Sequence, residues 1–119
     1  MNVEDLRNYC LSLKGVEECF PFDEQTLVFK VMGKMFCLSG LEHHPFQFNV
    51  KCDPELAIEL REEYSGVRPG FHMSKTHWNT VEFDGSFDQV KAEEWILLSY
   101  NLVIAGLTKK LKQELSALS

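Results

Sequence analysis

Residues 46–64, F-Q-F-N-V-K-C-D-P-E-L-A-I-E-L-R-E-E-Y, contain a strand pattern followed directly by a helix pattern. Apolar residues at 46, 48 and 50 alternate with polar ones, so one face of this strand is expected to be buried and the other wet. Asp53-Pro54 predicts a helix start, because the carboxylate can accept from free backbone amides and proline at the first helical position loses no bond. The apolar residues of this helix are expected to face the core; they are Leu56, Ala57, Leu60 and Tyr64.

The segments before this stretch predict one helix and a β-hairpin. Asn2 can cap a helix whose apolar residues recur at helical spacing, at Val3, Leu6, Cys10 and Leu13. Residues 26–32 and 35–40 are rich in β-branched, aromatic and long apolar residues, which favours strands. Gly33-Lys34 between them suits a tight turn with glycine at its first central position.

The segments after residue 64 predict two more strands and a long helix. A short strand is expected near residues 67–71 and a longer one at 77–83. Ser86 and Gln89 have the spacing of a capping box, which predicts a helix that reaches about residue 105. A short amphipathic tail follows, with Leu111, Leu115 and Leu118.

This order predicts an α+β fold with two layers, α-β(3)-α-β(2)-α, in which an antiparallel sheet carries its helices on one face. The 119 residues, 45% of them hydrophobic, suffice for a single domain over residues 1–119. There is no apolar run that could span a membrane, and the acidic start M-N-V-E-D-L-R is unlike a signal peptide, so a cytoplasmic protein with no membrane contact is expected. The four cysteines are scattered and indicate buried apolar groups rather than disulfides.

Residues 64–81, Y-S-G-V-R-P-G-F-H-M-S-K-T-H-W-N-T-V, contain no acidic residue, although the chain carries a net charge of −6. The segment includes Arg68, Lys75 and Trp78. Cations combined with an aromatic ring suit phosphate, a flat ligand such as a base, or an acidic protein partner. The segment is therefore the leading candidate for a functional surface, although charged residues also serve only to keep a strand edge soluble.

Strand alternation indicates which of these residues can share a surface. If Leu27, Phe29 and Val31 face the helices, Lys30 faces away from them, and the polar residues of 46–51 include Lys51 on that same side. If Val81 and Phe83 face inward, Trp78, Thr80 and Glu82 face outward. A shift of one residue would instead bury Trp78 as a packing residue and expose His77 and Asn79.

Several ordered segments resemble the MmcQ/YjbR family of small bacterial proteins. They are residues 51–64 and 64–81 together with F-P-F-D at 20–23, F-K-V-M-G-K-M-F at 29–36 and S-Y-N-L-V at 99–103. The resemblance implies the two-layer fold shared with type III secretion chaperones, which is sometimes compared with frataxin. It also implies a proposed DNA-binding role, in a "double wing" mode that would place a hairpin such as residues 29–36 against the duplex.

The sequence thus predicts a DNA-binding protein that uses a local basic and aromatic patch. The candidate contact residues are Lys30, Lys34, Lys51, Arg68, His72, Lys75, His77 and Trp78. Because the cations are few and spread out and the rest of the chain is acidic, binding is expected to be weak and strongly salt-dependent.

An enzyme is the second class of function to weigh, and the sequence argues against it. His72 with His77, and His43 with His44, lack any recognised metal-ligand spacing, so no metal and no cofactor are expected. The acidic residues of the 54–63 helix fit its solvent face. Cys37 or Cys52 could act as a nucleophile only if folding brought a histidine to it.

A protein-interaction module, chaperone-like or homodimeric, is the alternative function. Residues 95–107, W-I-L-L-S-Y-N-L-V-I-A-G-L, carry no charge and are apolar around most of the helix. Such a helix can be buried on several sides, or it can keep an apolar surface for a partner. The open sheet face is the other surface that such a partner could use.

Overall fold

The computed structural model describes residues 1–70 and 73–118, which form four helices and six strands. In chain order the elements are α1 (Val3–Ser12), β1 (Val16–Cys19), β2 (Thr26–Val31), β3 (Lys34–Gly40), β4 (Gln47–Lys51), α2 (Pro54–Glu63), β5 (Val67–Pro69), β6 (Trp78–Glu82), α3 (Gln89–Ala105) and α4 (Lys109–Ala117).

The strands form one antiparallel sheet in the order β1-β2-β3-β4-β6-β5. The helices pack on the sheet face that carries Leu27, Phe29, Phe48, Val50 and Val81, all at most 3% exposed. This arrangement confirms the predicted α+β class. It also fits burial of the apolar set that alternation selects in each strand.

The sheet has one strand more than the sequence predicted, because β1 (Val16–Cys19) pairs with β2 at the edge. Its sequence V-E-E-C has adjacent acids and no alternation, so it carries no strand signal of its own. Glu18 on this strand forms a paired contact with Arg7 of α1, with Nη2···Oε1 2.6 Å and Nε···Oε2 2.7 Å. Pairing with β2 therefore defines the strand, since its own composition does not.

The hairpin between β2 and β3 turns one residue earlier than the sequence predicted. Its central residues are Met32 and Gly33, both with positive φ (50° and 79°), and Lys34 begins β3 opposite Val31. Positive φ at both central positions matches the twist of an antiparallel pair, although it is uncommon for a methionine.

The cap of α3 also differs from the predicted capping box. Asp88 is the N-cap and accepts from the backbone N–H of Lys91. Ser86 donates its hydroxyl to Asp84 at 2.6 Å instead, and Ser65 donates to the same carboxylate at 2.5 Å. These hydrogen bonds stabilise the ionised form and lower the pKa of Asp84 to about 2.

One buried polar side chain of α3 ties the helix to two strands. Ser99 is fully buried; its Oγ donates to the carbonyl of Phe36 at 2.6 Å and accepts from the backbone N–H of Lys51 at 2.8 Å. The pairing of β3 with β4 runs through Cys37 with Val50, so Phe36 and Lys51 occupy the next position along the two strands. The Ser99 hydroxyl therefore bridges the strands at that position.

Candidate functional site

The sheet face turned away from the core, here called the open face, presents one row of side chains across all six strands. Directly paired residues share a face, and the pairings join Cys19, Val28, Leu38, Asn49, Thr80 and Arg68 in strand order. The side chains in the middle of this face are largely covered, since Val28, Leu38 and Thr80 are at most 9% exposed. The surrounding loops therefore shape the open face into grooves.

The register of β6 places Trp78 on the open face. Trp78 pairs with Lys51 and is half-buried, while the next residue, Asn79, is 1% exposed on the helix side. This is the register predicted from inward-facing Val81. The tryptophan consequently borders the open face beside a lysine, and part of its ring is covered.

Of the predicted contact residues, Arg68 and Lys75 meet in one place. They line a pocket of about 410 Å³, the cation pocket, together with His43, Gln47 and Pro69. Arg68 donates from Nη1 to Glu82 at 3.0 Å and from Nη2 to the side-chain oxygen of Gln47 at 3.4 Å. The guanidinium is thus held along the open face and is still about half exposed.

The other predicted residues are more dispersed. Lys30 lies on the open face between Glu17 and Met35, two strands away from Lys51, and Lys34 lies at the hairpin end. His77 is exposed in the turn before β6, and its carbonyl accepts from the N–H of Cys52 at 2.8 Å. His72 lies outside the described residues.

Arg61 organises the loop that carries Lys75, and the sequence analysis did not single it out. From α2 its Nε donates to Asn79 at 2.7 Å, and its Nη2 donates to the carbonyls of Lys75 and Trp78. The available signal was one arginine in the otherwise acidic helix P-E-L-A-I-E-L-R-E-E. Arg61 thereby fixes the end of the loop from which Lys75 reaches the cation pocket.

His43 is the second residue that the sequence analysis did not select, since the adjacent histidines were considered only as metal ligands. It lines the cation pocket and also a second cavity of about 570 Å³, here called the amphipathic groove. A Cβ at Gly40 would lie 2.8 Å from Cδ2 of His43, so glycine at the end of β3 is what allows the imidazole to approach this closely. The groove is lined by Phe22, Asp23, Thr26, Met35, Leu38, Gly40, His43, Gln47, Asn49 and Met73.

The charged residues differ between the open face and the outer side of α2. The open face and its adjoining loop carry Lys30, Lys51, Arg68 and Lys75, together with Glu17 opposite Lys30 and Glu82 beside Arg68. The outer side of α2 exposes only acids in its charged positions, at Glu55, Glu59, Glu62 and Glu63, while Arg61 turns toward the sheet. An anion approaching the domain is therefore repelled less at the open face than at the outer side of α2.

The cysteines considered as nucleophiles are poorly suited to that role. Burial raises the pKa of the Cys37 thiol, which contacts Cys10, and burial raises the pKa of Cys52 to about 11. A raised pKa keeps a thiol protonated, whereas a nucleophilic cysteine requires a lowered one. In residues 1–70 and 73–118, no three His, Cys, Asp or Glu side chains are grouped so that they could hold a metal ion.

The helices give no indication of a membrane span. Within the part of the chain that the structure describes, every helix falls short of the length and apolar character that crossing a bilayer requires.

Comparison with known proteins places the chain in a family. The family model described as YjbR matches residues 11–102. The uncharacterized protein YbdF of Escherichia coli O157:H7 is 37% identical over 108 residues, covering 90% of this chain and 88% of the relative. The uncharacterized protein YjbR of Escherichia coli K12 is 32% identical over 105 residues, covering 87% and 88%.

Two solved structures share the fold. Protein DR2400 of Deinococcus radiodurans superposes with a TM-score of 0.89 at 40% identity, covering 97% of this chain and 88% of that one. A Pseudomonas syringae protein superposes with a TM-score of 0.72 at 24% identity, covering 86% and 98%. The matched family model, the two Escherichia coli relatives and the shared fold together show that this chain belongs to the YjbR family.

Proposed function

We propose that this protein binds DNA, weakly and in a salt-dependent way, through its open face, without catalysing a reaction. The observation that carries the proposal is the arrangement of Lys51, Arg68 and Lys75. They come from β4, β5 and the loop before β6, and they border one side of the sheet together with Trp78. Phosphate contacts from the cations and stacking on the tryptophan are the two interactions by which a protein holds a nucleic-acid strand without reading its sequence.

The charge distribution supports weak binding rather than tight binding. The net charge of −6 repels DNA at long range, and Arg68 has to share its guanidinium between a phosphate and Glu82. Each phosphate contact that does form releases condensed counterions, so affinity falls as salt rises, with a log–log slope of about one per contact. Two or three contacts would give a correspondingly shallow salt slope.

The decisive test compares Lys75→Glu with Lys112→Glu in a DNA titration at low ionic strength. Both lysines are exposed and both substitutions change the net charge equally, but Lys75 lines the cation pocket and Lys112 lies on α4. We expect Lys75→Glu to weaken binding and to lower the salt slope by about one. Lys112→Glu should change the affinity only through the small long-range charge term.

Equal effects of the two substitutions, or no binding by the wild type at low salt, would contradict the proposal. Lys34→Glu adds information on the mode of binding, because Lys34 lies at the hairpin end and outside the cation pocket. A loss at Lys34 as large as that at Lys75 would favour the double-wing mode, in which the hairpin contacts the duplex.

A protein-interaction role is the second candidate, and a specific feature of α3 favours it. Leu97, Leu98 and Leu102 are 38%, 44% and 38% exposed, within a stretch of thirteen residues that carries no charge. Burial on several sides, the simpler interpretation of this sequence, does not account for these three side chains. They form an apolar outer surface on the helix layer, which is the kind of surface that a protein partner covers.

Self-association through α3 can be separated from DNA binding by its response to salt. Light scattering on wild type and Leu98→Lys should show association that persists at high salt in the wild type and is lost in the variant, because apolar contacts are not screened. A monomer in both proteins would leave DNA binding as the remaining candidate and would argue against a homodimer.

A further inference from the structure

The cation pocket and the amphipathic groove are neighbours on the open face and are together called the receptor. They share His43 and Gln47 in their linings, so groups bound in the two cavities would lie on either side of these residues. The groove volume of about 570 Å³ lies in the range of pockets that hold small organic ligands, roughly 300–1,000 Å³. The two ends differ in chemistry, since one carries cations and the other is mainly apolar with a few polar groups.

Two amide side chains in the groove can act as hydrogen-bond donors toward a ligand. The side-chain oxygen of Asn49 accepts from the hydroxyl of Thr80, and that of Gln47 accepts from Arg68. An amide whose oxygen is engaged presents its N–H2 group as a donor. Asp23, a carboxylate that lines the groove, accepts from the backbone N–H groups of residues 25 and 26 through Oδ1 at 2.8 Å and 2.7 Å, and its Oδ2 accepts from the hydroxyl of Thr26 at 3.3 Å.

The apolar wall of the groove suits a flat ring. Met35 and Leu38 come from β3, and Phe22 and Met73 come from the loops on either side. Methionine side chains adapt to aromatic surfaces and contact them favourably through sulfur. A ring seated here would meet apolar contacts on its faces and amide donors at its edge.

We propose that this receptor holds one unpaired thymidylate unit of a DNA strand, with its phosphate in the cation pocket and its base in the amphipathic groove. The inference rests on the proposed DNA binding and specifies its substrate as single-stranded. Thymine presents carbonyl acceptors that suit the amide groups of Asn49 and Gln47, and a methyl group that suits the apolar wall. A base paired in a duplex cannot enter the groove.

The binding test uses an oligothymidylate strand, the same strand paired with oligoadenylate, and the same strand with abasic sites. We expect the single strand to bind about tenfold more tightly than either the duplex or the abasic strand, a difference typical of one well-seated base. Met35→Trp, which fills the groove, should abolish this preference. Leu102→Trp, which adds the same ring on the outer side of α3, should preserve it.

A second measurement does not depend on strand binding or on the stability of the variant. Thymidine 5′-monophosphate added to isotope-labelled wild type should shift the amide signals of Leu38 and Asn49 as well as that of Arg68, whereas inorganic phosphate should shift Arg68 alone. If the nucleotide shifts these signals but no DNA strand binds, the groove is a nucleotide site and the proposed DNA binding is refuted. Equal affinity for strand, duplex and abasic strand, or identical shifts from nucleotide and phosphate, would overturn the inference.

Discussion

Replacing Ser99 by alanine removes the hydroxyl that bridges β3 and β4, and the cost can be worked out from its two hydrogen bonds. The substitution leaves the carbonyl of Phe36 and the backbone N–H of Lys51 without their partner. Each buried polar group left unsatisfied costs about 1–3 kcal/mol. Because two groups lose their partner, we expect a total loss of about 2–6 kcal/mol in the free energy of unfolding.

Urea denaturation of wild type and Ser99→Ala at neutral pH measures this loss. Ser116→Ala is the matched control, because Ser116 is an exposed serine in a helix, and its substitution should stay within about 0.5 kcal/mol. Hydrogen exchange provides a second readout, since the Lys51 amide should lose protection in Ser99→Ala. A stability loss no larger than that of the control, with the Lys51 amide still protected, would refute the bridging role of Ser99.

Two further predictions concern the contact between the segment that precedes β5 and the segment that follows β6. Gly66→Ala should lower the free energy of unfolding by about 1–3 kcal/mol, because its Cβ would lie 2.3 Å from the carbonyl oxygen of Glu82; an unchanged urea midpoint would show that this contact can relax. Asp84→Asn should be less stable than wild type at pH 6, since Ser65 and Ser86 favour the ionised carboxylate. This difference should shrink as pH falls from about 3.8 through about 2, where the folded carboxylate protonates. An equal difference at pH 2 and pH 6 would contradict that origin.

The strand faces of this protein were predictable because they depend on local alternation. Phe48 and Val50 are buried against the helices as the alternation predicts, and the same rule places Trp78 on the open face once Val81 faces inward. The start of α2 was equally predictable, because Asp53 accepts from the N–H of Leu56 within the same helix turn. In each case the residues that determine the structure are neighbours in the chain.

Errors arose where the structure depends on distant contacts or on a choice between similar local signals. β1 exists through its pairing with β2 and its ion pair to α1, neither of which is visible in V-E-E-C. Two residues near the start of α3 could cap it; Asp88 does so, whereas Ser86 donates to Asp84. Both side chains are of a type that caps helices, so residue type alone does not rank them.

The candidate site likewise contains residues that the sequence identified and residues that only the fold identified. The acid-free segment 64–81 marked Arg68 and Lys75 from the sequence alone, whereas His43 and Arg61 gained their roles only in the folded chain. His43 comes from the loop between β3 and β4, far from that segment in sequence. Arg61 is only three residues before it, but it belongs to the acidic helix α2 and gained its role through its bonds to the loop that carries Lys75.

By itself, the sequence determined the two-layer class, the buried face of each recognised strand and the segment that carries the cations, because periodicity and composition act over a few residues. The tertiary structure decided the strand order that places Arg68, Thr80 and Asn49 in one row. It also decided the shape of the groove that loop residues form beside this row. Those features result from long-range pairing and packing, in which each residue's environment is set by segments far away in the chain.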